Sequence, residues 1–228
     1  VMLSCDGDEP AHDALRGRGS HAAVLHACEL LAADKIPFWL TATLTARNLD
    51  QIDYLLTLAR RFHTYANFVP LNFHTGAVPD VHPPQREQLA GLLLSTVQLH
   101  GTFARLLACK RAGQPVGSSI PYLRHLLAWP DYETLTTQHP HPTFTCRAGQ
   151  LYCQIYPDGS LSSCGLLVNR DPSLNVFATD FATAFRRLPR PENCRSCRSA
   201  CEIENNLIYG ISFSAISNWC VKLFHQSD

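Results

Sequence analysis

Hydrophobic and polar residues follow two different periods in the first 75 residues of the chain. Residues 1–5 form a short apolar run, while residues 36–45 and 66–74 alternate with a period of two, which is typical of strands with one polar face. Apolar residues at helical spacing lie between these runs. The pattern therefore predicts strand, helix, strand, helix, strand, and two such crossovers imply three parallel strands.

Two of these strands carry a polar face, although parallel strands are normally apolar on both faces. A barrel or half-barrel with a binding site in its lumen explains this, because ligands sit at the carboxyl ends of such strands. Pro70 cannot donate a ladder hydrogen bond, so we expect the third strand to be an edge. Ser20 is expected to cap the first helix, and Asn48 or Asp50 to start the second.

The pattern then changes to helices and, later, to a cysteine-rich region. A Pro-rich connector leads to a predicted long helix over about 85–112 and a shorter one over 120–129, and residues 136–142 are expected to form a loop. We place a boundary near Phe144. The predicted segments are 1–78, 79–143 and 144–228.

Composition excludes several classes of protein. The 228 residues correspond to one and a half domains at about 150 residues each. The chain has 19 Lys plus Arg and 19 Asp plus Glu, which disfavours a dedicated nucleic-acid binder. No uninterrupted apolar run is long enough to span a membrane, and no export signal is visible, so we expect a cytoplasmic protein.

The ten cysteines are unevenly distributed. Three of them, Cys5, Cys28 and Cys109, precede residue 145 and are expected to be small buried apolar side chains. Seven crowd the last third of the chain, where a cysteine-rich segment without an export signal indicates metal or cluster binding. These seven are Cys146, Cys153, Cys164, Cys194, Cys197, Cys201 and Cys220.

Local structure is expected to bring several of these thiols together. Tyr156-Pro-Asp-Gly159 is a strong turn signal and predicts a β-hairpin, in which Cys153 falls opposite Cys164 to within one residue. Cys146 lies one short loop upstream. The two-residue spacing between Cys194 and Cys197 is typical of a knuckle that holds one metal centre. Disulfides, a structural zinc site and iron–sulfur clusters all remain open on spacing alone.

The same cysteines resemble a known auxiliary domain. Cys146, twelve residues, Gly159, four residues and Cys164 resemble the opening of the SPASM domain of radical S-adenosylmethionine (radical SAM) enzymes. Cys194-x2-Cys197, Cys201 and Cys220 resemble its second half. Upstream, Leu3-Ser-Cys-Asp-Gly7, followed by His12-Asp13 and Arg16-Gly17, is similar to the fourth strand and following loop of the radical SAM barrel.

This resemblance implies an α/β fold: the carboxy-terminal half of a partial (β/α)6 barrel, with three parallel strands, then helices and a small cysteine-rich α+β auxiliary domain. It also implies a ligand partition. One 4Fe–4S cluster would be held by Cys146, Cys153, Cys164 and Cys201. Cys194, Cys197 and Cys220 would remain for a second site that lacks one ligand. This site is empty, is completed by Glu202 or Glu204, or does not exist, as in a one-cluster twitch-like domain.

In the family, S-adenosylmethionine (AdoMet) is cleaved to a 5′-deoxyadenosyl radical that abstracts hydrogen from substrate. The defining Cys-x3-Cys-x2-Cys motif is absent from this sequence. We therefore expect an amino-terminally truncated piece of such an enzyme, which does not cleave AdoMet by itself. Residues expected to contact AdoMet are Ser4, Asp6, Thr43, Thr45, Asn48 and Asn72. The alternative is that Asp6 and Asn48 cap loops and the threonines are ordinary strand formers.

The resemblance also implies partners. They are a peptide or small-molecule substrate and an electron donor such as flavodoxin or ferredoxin, with no nucleic acid and no membrane. The rival function is a non-catalytic zinc-binding module, in which the carboxy-terminal cysteines staple a small domain used for protein interaction.

Overall fold

Three short parallel strands form the main sheet, in the order β1 (Met2–Ser4), β2 (Trp39–Leu44) and β3 (Ala66–Pro70). They belong to a computed structural model that describes residues 1–73, 86–89, 91–139, 142–167, 174–189 and 194–224. The prediction of three parallel strands is confirmed, because β1 pairs parallel with β2 and β2 pairs parallel with β3.

Strand β2 shows why its sequence alternates. Leu40, Ala42 and Leu44 are buried, whereas the residues between them are half-buried. Leu3 pairs with Leu40 on one side, and Leu40 pairs with Ala66 on the other. The apolar face of β2 therefore lies in the core, as its period of two predicts.

Strand β3 is shorter than expected, and its buried residues are Ala66, Phe68 and Pro70. Val69 is half-buried, so the buried face of β3 is the one opposite Val69. Pro70 lies in an edge strand of the described sheet, as predicted. The outer edge is not wholly open, because Ala66 pairs with Val116 in an isolated parallel bridge. His74, predicted to lie in this strand, falls outside the described residues.

Helix α1 (Glu9–Arg16) is absent from the sequence prediction, which places a loop after the first strand. Its start is fixed by the Asp8 side chain, which accepts a hydrogen bond from the Ala11 amide, and Pro10 fits the first turn because its missing N–H needs no partner. Helix α2 (Ser20–Ala33) begins at Ser20, with Gly19 as its cap, so the predicted capping role of Ser20 is wrong by one position.

Helix α3 (Ile52–Arg61) follows a 3-10 turn at Leu49–Gln51, and its buried residues are Ile52, Leu55, Leu56, Leu58 and Ala59. The predicted second helix is therefore confirmed, with a tighter first turn. It packs on the sheet through an apolar face, which is the usual source of stability for a helix of this length.

The predicted long helix over 85–112 is wrong in its first part. Arg86–Leu89 is a short 3-10 turn, and Gly91 has a φ of 74°, which breaks the helical path. Helix α4 (Thr96–Arg111) starts only after Ser95, where Ser95 and Gln98 form a capping box. Helix α5 (Ile120–Ala128) is capped by Ser119 and confirms the shorter prediction.

The chain separates into two compact units. The first unit comprises the described residues of 1–71, 90–132 and 213–228, including helix α8 (Phe213–Phe224). Within it, α4 and α5 pack through an edge-to-face pair of Phe103 and Tyr122 rings, 5.8 Å apart. Helices α4 and α5, which fall within the predicted segment 79–143, thus belong to the same unit as the sheet.

The second unit comprises the described residues of 72–89 and 133–212. It is built from short pieces: β4 (Thr136–Thr137) pairs antiparallel with β7 (Ser196–Cys197), and β5 (Gln154–Ile155) pairs with β6 (Leu161–Ser162). Its helices are α6 (Phe181–Arg187) and α7 (Ala200–Tyr209). The β4 pairing corrects the loop predicted over 136–142, and it was not visible in the sequence because its partner lies about 60 residues away.

Within the described residues, no helix is both long enough and apolar enough to cross a membrane.

Candidate functional site

Asp6 stands at the carboxyl end of β1 and is only 1% exposed. Its carboxylate accepts hydrogen bonds from the Arg16 Nε, at 2.7 Å, and from the Thr43 amide, at 2.8 Å. Its own amide donates to the His12 Nδ1 at 3.0 Å. Asp6 therefore ties the loop after β1 to both helix α1 and strand β2.

Asn48 completes this connection and is fully buried. Its Oδ1 accepts from the amide and the hydroxyl of Thr45, at 2.8 and 3.1 Å. Its Nδ2 donates to the carbonyl oxygens of Asp6 and Thr43, at 2.9 and 3.0 Å. All the polar atoms of the Asn48 side chain are therefore bound to groups of the chain itself, which matches the loop-capping alternative.

The six residues expected to contact AdoMet thus divide into groups. The structure brings together Asp6, Thr43, Thr45 and Asn48 at the strand ends, and Ser4 is exposed at the end of β1. Asn72 belongs to the second unit, where its side chain faces the Ser199 hydroxyl at 3.5 Å and the Arg198 guanidinium at 3.3 Å. A contact of any of the six with AdoMet stays a prediction.

Two buried histidines beside this network were not identified as site residues from the sequence. His12 is 1% exposed, and burial lowers the pKa of its imidazole more than the nearby Asp6 carboxylate raises it. His21 is also buried, and its Nε2 lies 2.8 Å from the Tyr54 hydroxyl. The His12-Asp13 pair in the sequence pointed to this place, but only the fold shows that His12 accepts a backbone hydrogen bond.

The second unit contains the cysteine-rich site. The predicted hairpin is confirmed: Gln154 pairs with Ser162 and Ile155 with Leu161, across a turn in which Gly159 has a φ of 81°. This register places Cys153 opposite Ser163, so Cys164 is one position off. Because a shift of one residue reverses the face of a strand, Cys153 and Cys164 enter different hydrophobic clusters.

The pairing of β4 with β7 brings the Cys194-x2-Cys197 knuckle to the cluster that contains Cys164. Cys197 is directly opposite Thr136, and the Arg195 amide donates to the Thr137 carbonyl at 2.7 Å. Cys197 then packs with Leu135 and Cys164, while Cys146 lies against the same cluster. Thiols separated by up to 51 positions in the sequence therefore share one apolar environment.

The pKa values of the same thiols, and that of Cys194, are shifted by the same two causes. Burial raises the pKa of Cys164 and of Cys194 to about 12 each, and the nearby Glu202 carboxylate adds to both shifts. Burial also raises the pKa of Cys146, and it raises that of Cys197 well above its usual value of 9.0. Glu202 again adds to both. Burial and the nearby Glu202 carboxylate therefore both disfavour the thiolate form of these four side chains.

Glu202, Tyr152 and Asn206 support this group, and only Glu202 was singled out from the sequence. The Glu202 carboxylate accepts from the Tyr152 hydroxyl at 2.8 Å and from the Gly165 amide at 3.0 Å. Asn206 donates to the same hydroxyl at 2.8 Å and accepts from the Arg147 amide at 2.5 Å. The i, i+4 spacing of Glu202 and Asn206 on α7 was the available signal.

The other three carboxy-terminal cysteines lie elsewhere. Cys153 is half-buried against the cluster of Leu161, Leu174, Ala184 and Leu188. Cys201 is exposed on α7, and Cys220 is exposed on α8 in the first unit. All ten cysteines are free thiols. Cys5 and Cys28 are fully buried, as expected, whereas Cys109 is half-buried.

The donor set fits a metal centre by its chemistry. No group of three or more His, Cys, Asp or Glu side chains in the described residues is arranged to hold a metal ion directly. Protonated thiols do not ligate, and metal binding releases their protons. Four thiolates satisfy either a tetrahedral zinc ion or one 4Fe–4S cluster.

Comparison with known proteins gives a likeness of fold. The sequence matches no protein-family model and no curated protein. Native anSMEcpe with bound AdoMet and Cp18Cys peptide has a similar structure: the TM-score is 0.57 at 12% identity, over 96% of this chain and 70% of that one. Hexahistidine-tagged anSMEcpe with bound AdoMet gives 0.56 at 13% identity, over 99% and 68%. The chain therefore shares the fold of an AdoMet-bound protein.

Proposed function

We propose that this chain forms the carboxy-terminal part of a radical SAM enzyme and that its second unit binds an auxiliary iron–sulfur cluster. The observation that carries the proposal is the gathering of Cys146, Cys164 and Cys197 in one hydrophobic cluster of the second unit. The fold shared with AdoMet-bound anSMEcpe and the resemblance of the cysteine spacing to SPASM domains support the same function independently.

In this proposal, the residues of the second unit bind the cluster and exclude water from it. Cys164 and Cys197 are only 6% and 4% exposed, so their sulfurs face a dry environment. A bound cluster supplies one-electron redox chemistry. The raised thiol pKa values mean that loading must release protons, so cluster binding is expected to weaken as the pH falls.

In the first unit, we assign two roles to the residues at the strand ends. Asp6, Thr45 and Asn48 hold the backbone of β1 and β2 in register, since their hydrogen bonds go to the chain itself. The hydroxyls of Ser4 and Thr43, which are exposed and half-buried, are the proposed contacts to AdoMet. Asn72 carries no such proposal, because it bonds within the second unit.

For the substrate, we propose a peptide. Of the two classes left open by the sequence, this one is favoured because the anSMEcpe structure with the same fold contains a bound Cp18Cys peptide. The electron donor is proposed to be a flavodoxin or ferredoxin, as the family resemblance implies.

A zinc-binding interaction module is the second candidate function, and the donor set itself favours it. Four cysteine thiolates are a common ligand set for a structural zinc ion, which closes a small domain with little regular structure. The second unit is such a domain in its described part, with strands of only two residues each.

Anaerobic loading with iron and sulfide separates the two functions. We expect a brown protein with broad visible absorption, and we expect Cys164→Ser to lose this absorption. Cys109→Ser is the matched control, because Cys109 is a half-buried thiol of the first unit. A colourless protein that retains only zinc after the same treatment would sink the iron–sulfur proposal.

A further inference from the structure

We propose that a cavity of the first unit, between the carboxyl ends of α3 and α4, binds a small organic phosphate through Arg60 and His63. This inference goes beyond the proposed function and does not depend on it. The cavity lies at the amino end of β3, because Tyr65, which lines it, directly precedes that strand. Asp6 and Asn48 follow the carboxyl ends of the parallel strands β1 and β2, so they lie at the opposite edge of the sheet.

The cavity has the size and the mixed lining of a small-molecule site. Its volume is about 390 Å³, within the usual range for such sites. Arg60, His63 and Gln114 supply a guanidinium, an imidazole and an amide, while Tyr65 and Pro115 supply aromatic and apolar surface. Burial raises the pKa of the Tyr65 phenol, so this side chain stays neutral beside an anion.

Arg60 forms no ion pair with a carboxylate in the part of the chain that the structure describes. Its guanidinium donates to two neutral oxygens, the Gln114 Oε1 and the Thr57 Oγ1, the second at 2.9 Å. A guanidinium has five N–H donors, and those that remain can bind an oxyanion in a bidentate way. Arg60 is therefore placed to bind the anionic group of a ligand.

The neighbouring carboxylates are paired with other arginines. Asp53, which lines an adjoining cavity together with Arg60, lies 2.5 Å from the Arg105 guanidinium. Glu29 lies 3.5 Å from the Arg61 guanidinium. The positive charge of Arg60 thus stays available to an external anion.

The positive charge around the cavity also exceeds what the two helix ends require. Helix α3 ends in Arg60 and Arg61, and α4 ends in Lys110 and Arg111. Each helix end carries the equivalent of about −0.5 charge, so about one cation offsets both ends. Since Arg61 is paired, a surplus of about two positive charges remains, which matches the charge of a phosphate monoester at neutral pH.

His63 occupies a backbone position that favours glycine. Its φ of 49° is left-handed, which is unfavourable for a residue with a side chain. The His63 amide donates to the Arg60 carbonyl at 3.1 Å and the Thr64 amide to the Ala59 carbonyl at 2.8 Å, as in the Schellman motif that usually ends in glycine. An exposed imidazole at this strained position is explained by a contact with a ligand.

Calorimetric titration of the full chain with phenyl phosphate tests the site. We expect saturable binding with a Kd below about 10 mM, and Arg60→Met should weaken it at least about tenfold, because it removes the bidentate donor. Arg61→Met is the matched control: it removes the same charge one position away, and its Kd should stay within about twofold of the wild-type value. No saturable binding, or an equal loss in the two variants, would overturn the proposal.

His63→Gly separates binding from folding. Glycine relieves the left-handed backbone, so this variant should unfold at the same or a higher urea concentration and yet bind phenyl phosphate several-fold more weakly. Lys35 is also exposed, with a φ of 52°, and does not line the cavity. Lys35→Gly should therefore leave binding unchanged. Wild-type affinity in His63→Gly, or an equal loss in Lys35→Gly, would contradict the role of His63.

Two further ligands test the chemical class. Inorganic phosphate should bind more weakly than phenyl phosphate, because it lacks the organic part that contacts Tyr65 and Pro115. Phenol should not bind, because it lacks the group that Arg60 recognises. Equal affinity for inorganic phosphate, or saturable binding of phenol, would overturn the assignment to an organic phosphate.

Discussion

Asn48 shows how single residues at the strand ends act on the backbone. Its amide group bridges Thr45 to the carbonyl oxygens of Asp6 and Thr43. The sequence indicates that Asn48 lies near a strand end, but it does not show whether the side chain faces a ligand or the backbone of the chain. That choice depends on partners up to 42 positions away, which no local pattern contains.

Replacing Asn48 with alanine is expected to lower the free energy of unfolding by at least about 2 kcal/mol, because each unsatisfied buried polar group costs about 1–3 kcal/mol. Urea denaturation measures the change. Asp50→Ala is the control, since Asp50 is exposed on the adjacent 3-10 turn. An Asn48→Ala variant as stable as this control would contradict the bridging role.

His12 predicts a pH dependence with a defined sign. Burial is the largest effect and lowers the pKa of its imidazole below the ordinary 6.5. The charges of His21 and Arg16 also lower this pKa, whereas the Asp6 and Asp13 carboxylates raise it. The unfolded chain therefore binds more protons at this site, so the stability is fully present above about pH 6.5 and is lost as the pH falls through the folded pKa.

The free energy of unfolding should therefore decrease as the pH falls below 6.5, with a slope from His12 of at most about 1.4 kcal/mol per pH unit. Urea denaturation at several pH values measures this slope. His12→Asn keeps an acceptor near the Asp6 amide without titrating in this range, and its slope should be smaller. Exposed His26→Asn is the control; equal slopes in the two variants would refute the assignment to His12.

Secondary-structure elements that are defined by neighbouring residues could be predicted from the sequence, whereas pairings between distant segments could not. The turn at Tyr156–Gly159 lies within a few residues of the strands that it joins, so the hairpin could be predicted. The pairing of β4 with β7 joins residues about 60 positions apart and was missed. The start of α4 was misplaced because the leucines from Leu89 to Leu93 continue the helical pattern through a region that the Gly91 backbone interrupts.

Two glycines give opposite predictions for the same substitution. Gly159→Ala should destabilise the chain by about 1 kcal/mol or more, because its φ of 81° is left-handed and an added Cβ would come within 2.6 Å of the Phe177 ring. Gly101→Ala should stabilise it by about 0.4–1 kcal/mol, because Gly101 lies within α4 and an added Cβ meets no atom within 4 Å. Denaturant titration compares both; a stabilised Gly159→Ala variant would contradict the turn geometry.

At the scale of the whole molecule, the sequence indicated a metal-binding carboxy-terminal region but not its organisation. Counting seven cysteines allows two clusters, whereas the fold gathers Cys146, Cys164 and Cys197 in one hydrophobic cluster and places Cys153 in another. The deciding features are the single-residue shift of Cys153 in the hairpin and the long-range position of β7. Neither feature can be predicted from the cysteine spacing, because both depend on which side chains the fold buries.

The iron and acid-labile sulfide content of the full chain, measured after anaerobic loading and removal of unbound metal, tests the proposed cluster binding most directly. One four-thiolate site predicts about four irons and four sulfides per chain. About eight irons would show a second cluster and contradict the single site. One zinc without iron or sulfide would contradict the iron–sulfur function itself.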